Sequence, residues 1–176
     1  MKPTTIDLLF DRVAAPAGAP FDAVLYAVDG DKLCAVDFAG YEARMDKLLQ
    51  RRYGSYRFIE SCNPRGFGTR IAAYLAGELS AIDELPVTLS GTTFQQSAWL
   101  ALRQIPAGKT TSYAAQAARI GKPRAVRALG AANGQNPVAI VLPCHRVIGS
   151  GGALTGFGGG IATKAWLLRH EGALLA

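Results

Sequence analysis

Residues 112–134 read SYAAQAARIGKPRAVRALGAANG, two short helical patterns separated by a Gly-Lys-Pro break. Ser112 is placed to cap the first, because a serine oxygen ahead of the opening turn accepts from an amide that lacks an intrahelical partner. That helix is expected to end at Ile120. Gly121-Lys122-Pro123 breaks it, Pro123 at a first helical position opens a second helix over 124–133, and Gly134 closes it. Two short helices joined by a tight glycine-containing turn form a helix-turn-helix pattern, whose second helix is the one presented to DNA. An ordinary pair of packed helices shares the same pattern.

Downstream, Asn136-Pro137 leads into the apolar run Val138-Ala139-Ile140-Val141-Leu142, which Pro143 bounds. Its shortness and flanking prolines predict a buried extended segment. It delivers Cys144-His145-Arg146 together, and a buried imidazole and guanidinium need partners. A thiol becomes a nucleophile when a base or cation stabilises its thiolate, and the base needs a third group to fix its tautomer. Glu171 is the single acid of residues 91–176, so Cys144, His145 and Glu171 are the available Cys–His–acid set in that half. On an extended chain neighbouring side chains point to opposite faces, so coupling of Cys144 to His145 through a bridging water is expected. An inert buried cysteine is the bland alternative. The glycine-rich stretch 149–160 permits close approach to a ligand, but its spacing fits neither a Walker loop nor the dinucleotide fingerprint.

Upstream, Thr92 or Thr93 can cap a helix that carries Phe94, Ala98, Trp99, Ala101 and Leu102 on its inner side, ended by Pro106-Ala107-Gly108. Asp83 to Gly91 resembles a linker. Before it, the runs 24–28 and 33–38 flank Asp29-Gly30-Asp31-Lys32 and predict a hairpin. Residues 41–53 and 71–79 carry helical spacing. The expected organisation is an α/β (α+β) chain in two parts. Residues 1–82 form a small N-terminal α/β domain with an antiparallel sheet, 83–91 a linker, and 92–176 a mostly helical domain containing the helix-turn-helix.

The charge is unevenly spread. Residues 1–90 hold 10 Lys/Arg and 12 Asp/Glu, net −2, while 91–176 hold 9 Lys/Arg and one acid, net +8, together the +6 of the chain. A half so poor in acids suits a polyanion, and nucleic acid is the usual one; a solvated basic face is the alternative. Hydrophobic residues make up 49% of the chain, which predicts a globular protein rather than disorder. No run approaches the ~20 apolar residues of a membrane span. The opening residues meet acids at once and lack a signal peptide's apolar core, so a cytoplasmic setting and no membrane partner are expected. Three scattered cysteines, Cys34, Cys62 and Cys144, and two histidines, His145 and His170, predict neither disulfide framework nor metal site, and no cofactor.

In order, the chain shows Phe94-Gln95, Trp99, Leu102, Ile105-Pro106-x-Gly108, Ser112-Tyr113, Arg127-Ala128-x-Gly130, Asn136-Pro137, Pro143-Cys144-His145-Arg146-Val147 and Gly156-Phe157-x-Gly159-Gly160. This series resembles the O6-alkylguanine-DNA alkyltransferase family in its stand-alone bacterial form, across the C-terminal half and more loosely the N-terminal domain. The resemblance implies a ribonuclease-H-like fold for 1–82. It also implies DNA repair by direct reversal, a methylated-DNA–protein-cysteine methyltransferase activity that uses each molecule once. Cys144 matches the alkyl acceptor, His145 the base acting through water, and Glu171 the carboxylate that orients it. Asn136 matches the tie between recognition helix and active site, and Tyr113 the residue that turns the target phosphate and assists the departing guanine. Arg127 matches the finger filling the gap left by a flipped base, with Ala128 and Gly130 on the same helix and Thr93 and Gln95 as further DNA contacts. Pro143, Phe157, Gly158 and Gly159 match the alkylguanine pocket.

The implied partner is double-stranded DNA containing O6-alkylguanine, with O4-alkylthymine left open as a second substrate, entered from the minor groove by a monomer that can cluster on DNA. Two departures concern the pocket: Phe157 replaces a common tyrosine, and Gly158 a serine found in some relatives. Alternative functions are a lesion-binding module without chemistry, whose relatives carry another residue at the acceptor position, and a cysteine hydrolase. Cys144 speaks against the first. Against the second, an alkyl thioether has no good leaving group, so alkyl transfer stops after one turnover.

Overall fold

The computed structural model describes residues 4–174. The chain divides into two compact units on either side of the Ser90–Gly91 bond. In the first, β1 (Ile6–Ala14), β2 (Ala23–Asp29) and β3 (Lys32–Phe38) are antiparallel neighbours, and β4 (Tyr56–Glu60) joins β1 in parallel, giving the order β3-β2-β1-β4. Gly30, at φ +63°, makes the tight hairpin turn expected at Asp29-Gly30, with Asp29 facing Lys32 across it.

α1 (Glu42–Tyr53) runs as the pattern predicted and ends at Gly54, φ +72°. Its Met45 and Leu49 pack on one face of the sheet, against Leu8, Phe10, Leu25, Ala27 and Cys34. The other face carries Tyr26, whose hydroxyl stands so close to Gly68 on α2 (Phe67–Leu75) that a Cβ there would lie 2.6 Å from it. With both faces covered, β2 and β3 are buried almost throughout, so their apolar runs show no alternation. Helix α2 starts and stops four residues earlier than the 71–79 expectation, because 79–82 winds instead as a 3-10 turn.

The stretch 83–90 does not run free as a linker would. Leu85 is buried, Val87 bridges to Leu33, and the Leu33 amide donates to the Pro86 carbonyl, so the segment caps the outer edge of β3.

In the second unit, α3 (Thr93–Ala101), α4 (Tyr113–Arg119) and α5 (Val126–Gly134) pack through small residues, with Ala98, Ala117, Leu129 and Ala132 at their centre. A buried polar ladder sets their register. Gln116 donates to the Ala98 carbonyl at 3.0 Å, Asn133 to Gln116 at 2.8 Å, and the Trp99 indole to the Ala132 carbonyl at 2.7 Å. Ser112, on β5 (Thr111–Ser112), caps α4 as expected, accepting from the Ala115 amide at 3.0 Å. Pro123 does not open α5, which starts three residues later. Gly121, at φ +73°, and the Ala125-to-Lys122 backbone bond spend those residues on a turn. The short strand β6 (Val147–Ile148) pairs in parallel with β5, and α6 (Ile161–His170) follows the glycine-rich loop. No helix among the described residues is long and apolar enough to cross a membrane.

Candidate active site

Asn136, fully buried just beyond α5, organises the chain that follows it. Its Oδ1 accepts from the Val138 amide at 3.0 Å, while its Nδ2 donates to the Leu142 carbonyl at 2.7 Å and to Cys144 Sγ at 3.2 Å. These bonds turn the segment back toward its own start. The run 138–143 is buried, as expected, but coiled rather than extended, with the Leu142 amide donating back to the Val138 carbonyl. Ile140 sits at φ +69°, a conformation costing a β-branched residue roughly 1–3 kcal/mol, and its almost complete burial holds it there.

Cys144, His145 and Arg146 then form one 3-10 turn, so the opposite-face geometry of an extended chain does not apply. The Cys144 residue is 7% exposed and His145 0%. His145 Nε2 lies 2.9 Å from Glu171 Oε1, at the end of α6. Arg146 forks onto the same carboxylate, Nε donating to Oε2 and Nη2 to Oε1, both at 2.8 Å, and its Nη1 donates to the Ile105 carbonyl. Facing a carboxylate, Nε2 carries the imidazole hydrogen. Nδ1 is buried and has no hydrogen-bond partner among the described residues.

Burial pulls the His145 pKa below its ordinary value. Glu171 opposes that shift, while Arg146 and Lys164 add to it. Burial alone would raise the Glu171 carboxyl, but the hydrogen bonds from His145 and Arg146 outweigh it and hold the group far below the usual carboxylate range. The set therefore rests as an ionised carboxylate, a guanidinium and a neutral imidazole whose open lone pair sits next in sequence to a thiol. That is what a general base needs.

Tyr113 and Lys164 anchor the glycine-rich loop. The Tyr113 hydroxyl donates to the Thr155 carbonyl at 3.1 Å. Lys164, on α6 and fully buried, donates to the same carbonyl at 3.0 Å and to the Val147 carbonyl at 2.6 Å, and its Nζ lies 3.5 Å from the Tyr113 hydroxyl. Lys164 thus joins the loop to the turn that carries Cys144. Burial lowers the pKa of Lys164 and raises that of Tyr113.

Cys144, His145, Glu171 and Asn136 come together, and Tyr113 reaches them through Lys164. Pro143 is buried at the start of the cysteine turn, Gly159 is buried in the loop, and Phe157 and Gly158 are half-buried there. Arg127 and Ala128 are exposed on α5. Gly130, on the same helix, lies over the Tyr113 ring, 3.9 Å from where a Cβ would be. Thr93 is exposed at the start of α3. Gln95 is half-buried; its Oε1 accepts from the Thr92 amide in a capping box and its Nε2 donates to Gln135.

Sequence reasoning missed Arg146 and Lys164 as site residues. The signal for Lys164 was its place beside Thr163, Leu167 and Leu168 on the inner stripe of α6, where a lone cation demands an explanation. No group of three or more His, Cys, Asp or Glu among the described residues is placed to hold a metal ion.

Residues 93–173 match the family described as 6-O-methylguanine DNA methyltransferase, DNA binding domain. A methylated-DNA–protein-cysteine methyltransferase of Salmonella typhimurium is 45% identical over 172 residues, covering 96% of this chain and 98% of the relative. The protein of that name from Mycolicibacterium paratuberculosis is 51% identical over 128 residues, covering 71% and 77%. Among solved structures, Mycobacterium tuberculosis OGT in complex with DNA superposes with a TM-score of 0.76 at 36% identity, covering 93% of this chain and 92% of that one. The similarity thus spans both units and includes the turn from Asn136 to Arg146, and by it the chain belongs to the methylated-DNA–protein-cysteine methyltransferase family.

Proposed function

We propose that this protein repairs O6-alkylguanine in double-stranded DNA by moving the alkyl group onto Cys144, once per molecule. The observation that carries the proposal is the Asn136–Cys144–His145–Glu171 arrangement: a thiol held by an amide donor beside a neutral, carboxylate-oriented imidazole. The sulfur attacks the alkyl carbon, the S–C bond forms as the C–O6 bond breaks, and the bond pair leaves on guanine O6. The thiol proton passes through His145, by way of water, and ends on the released guanine. Nothing in the set removes an alkyl group from a thioether, so the protein is consumed.

A base within a duplex cannot reach a buried thiol, so the target nucleotide is extruded, with unstacking costing a few kcal/mol. Exposed Arg127 on α5 supplies the flat cation for the vacated stack, and Ala128 and Gly130 let that helix press closely into the minor groove. Tyr113 turns the target phosphate and serves the departing base. Pro143, Phe157, Gly158 and Gly159 line the pocket, and Thr93 contacts the backbone. The protein acts as a monomer that can cluster along DNA, in the cytoplasm.

The test is intact-mass spectrometry after mixing with duplex DNA containing O6-methylguanine. We expect a gain of one methyl group per molecule, mapped to Cys144, and none on Cys34, whose thiol burial pushes up to about 11. Cys144→Ala should gain nothing yet still bind DNA. Methyl on the exposed Cys62, or continued turnover, would refute the proposal.

A further inference from the structure

The reaction just proposed uses Cys144, His145 and Glu171 but gives Arg146 no task, although that guanidinium makes more contacts with Glu171 than His145 does. A surface arginine would need no explanation. This one is 4% exposed, its fork takes both oxygens of the carboxylate, and its remaining nitrogen reaches the Ile105 carbonyl. A buried imidazole facing only a carboxylate tends to become a permanent imidazolium, because the pair of opposite charges stabilises itself where water cannot. An imidazolium carries a hydrogen on Nδ1 as well as Nε2. Here Nδ1 is buried without a protein partner among the described residues, so the water leading from Cys144 would meet a hydrogen there instead of a lone pair. That hydrogen would occupy the position that must receive the thiol proton.

We propose that Arg146 is a positioning residue for the base: its fork on Glu171 fixes the carboxylate against His145 and balances its charge, so Nδ1 stays an open acceptor for the Cys144 proton. The groups facing His145 fit this role. Glu171 from the end of α6 favours the charged ring, while Arg146 on the same turn and Lys164 on α6 oppose it. With Arg146 present, the carboxylate and guanidinium cancel and the resting triad is neutral overall. Only when the thiol yields its proton does the ring become charged, and the new thiolate is then its counter-ion. The ring returns to neutral when the proton passes to the leaving guanine. In this arrangement Glu171 orients the ring and Arg146 prevents the orienting charge from disabling it. The inference rests on the alkyl-transfer reading for its kinetic consequence but not for its charge state.

Two measurements test it. The first follows the single-turnover rate of Cys144 with free O6-benzylguanine as a function of pH. Arg146→Met removes the charge and keeps much of the volume, so the acid limb should move to higher pH by about one unit or more. Arg146→Lys keeps the charge with a single point of contact, so its acid limb should stay near that of the parent while the whole profile falls. Profiles lowered by the same factor at every pH in both variants, with no displaced limb in Arg146→Met, would reduce Arg146 to a structural brace and overturn the proposal.

The second needs no change at the site. Imidazole nitrogen NMR on the full chain carrying His170→Gln leaves His145 as the one histidine observed. We expect a neutral ring with the hydrogen on Nε2 at pH 7 and well below. A doubly protonated ring at pH 7 would overturn the proposal even if both variants failed to fold. Complete lack of reaction with O6-benzylguanine would sink the alkyl-transfer reading instead, and the NMR result would still decide the charge state of His145.

Discussion

Glu171→Gln is expected to destabilise the second unit by about 3–5 kcal/mol, the scale for removing one partner of a buried ion pair. The carboxylate accepts one hydrogen bond from His145 and two from Arg146, and among the described residues it is the ion-pair partner of the buried guanidinium. A carboxamide has a single acceptor oxygen, and its NH2 would face a donor, so one nitrogen is left unpaired and the charge uncompensated. Both tryptophans, Trp99 and Trp166, lie in this unit, so their fluorescence during urea unfolding reports on it selectively. Unfolding midpoints within experimental error of each other would show that the network contributes little.

The pH dependence has a definite sign. The folded carboxyl is held below its unfolded value of about 4.3, so its contribution is complete above that pH and is lost as the solution is acidified through the folded value. The difference between parent and variant should therefore be largest near neutrality and shrink in acid. If His145 is the base, it is weaker and poorly oriented in the folded variant, and the alkyl-transfer rate at pH 7 should fall on the order of 10²-fold.

Arg127→Ala is expected to separate base extrusion from chemistry. Arg127 is exposed on α5, while Cys144 is buried in the turn beyond residue 137. If its guanidinium fills the vacated stack, duplex repair should lose up to a few kcal/mol, on the order of 10²-fold in rate, as unstacking goes uncompensated. Free O6-benzylguanine needs no extrusion and should react with Cys144 at nearly the parent rate. The measurement is the single-turnover rate on both substrates, with saturating protein at two salt concentrations. A duplex defect restored by lowering salt would make Arg127 one phosphate contact among several. Equal loss on both substrates would place its effect in the fold.

The parts of this fold that were legible in sequence are those whose signal is local. The hairpin at Gly30 is such a part, as are α1 and the serine cap of α4. So is the adjacency of Cys144, His145 and Arg146 as covalent neighbours, although the 3-10 turn they form was expected as extended chain. Glu171 was legible for a different reason, being the single acid of its half. The coil 137–143 was not, because an apolar run does not say whether its backbone pairs with a strand or with one asparagine side chain at its own start. Strand β4 escaped notice because four of its five residues are exposed, leaving no alternation to read. The capping box at Thr92-x-x-Gln95 was overlooked although its signal was present in the sequence. The partnership of Arg146 with Glu171 spans 25 residues, and only the fold brings the two together.

The anchoring of the glycine-rich loop bears on how the proposed pocket can diversify. The bonds from Lys164 and Tyr113 end on the main-chain oxygens of Val147 and Thr155, and the turn at its head is closed by the Gly149 amide on the Ala153 carbonyl. Every residue type supplies a carbonyl, so these ties survive exchange of the side chains they hold. The loop's position is thereby decoupled from its composition, and substitutions such as those at Phe157 and Gly158 can reshape the proposed pocket while leaving its attachment to the turn that carries Cys144 intact. Selection on substrate range can act on 149–160 while selection on the reaction acts on residues elsewhere.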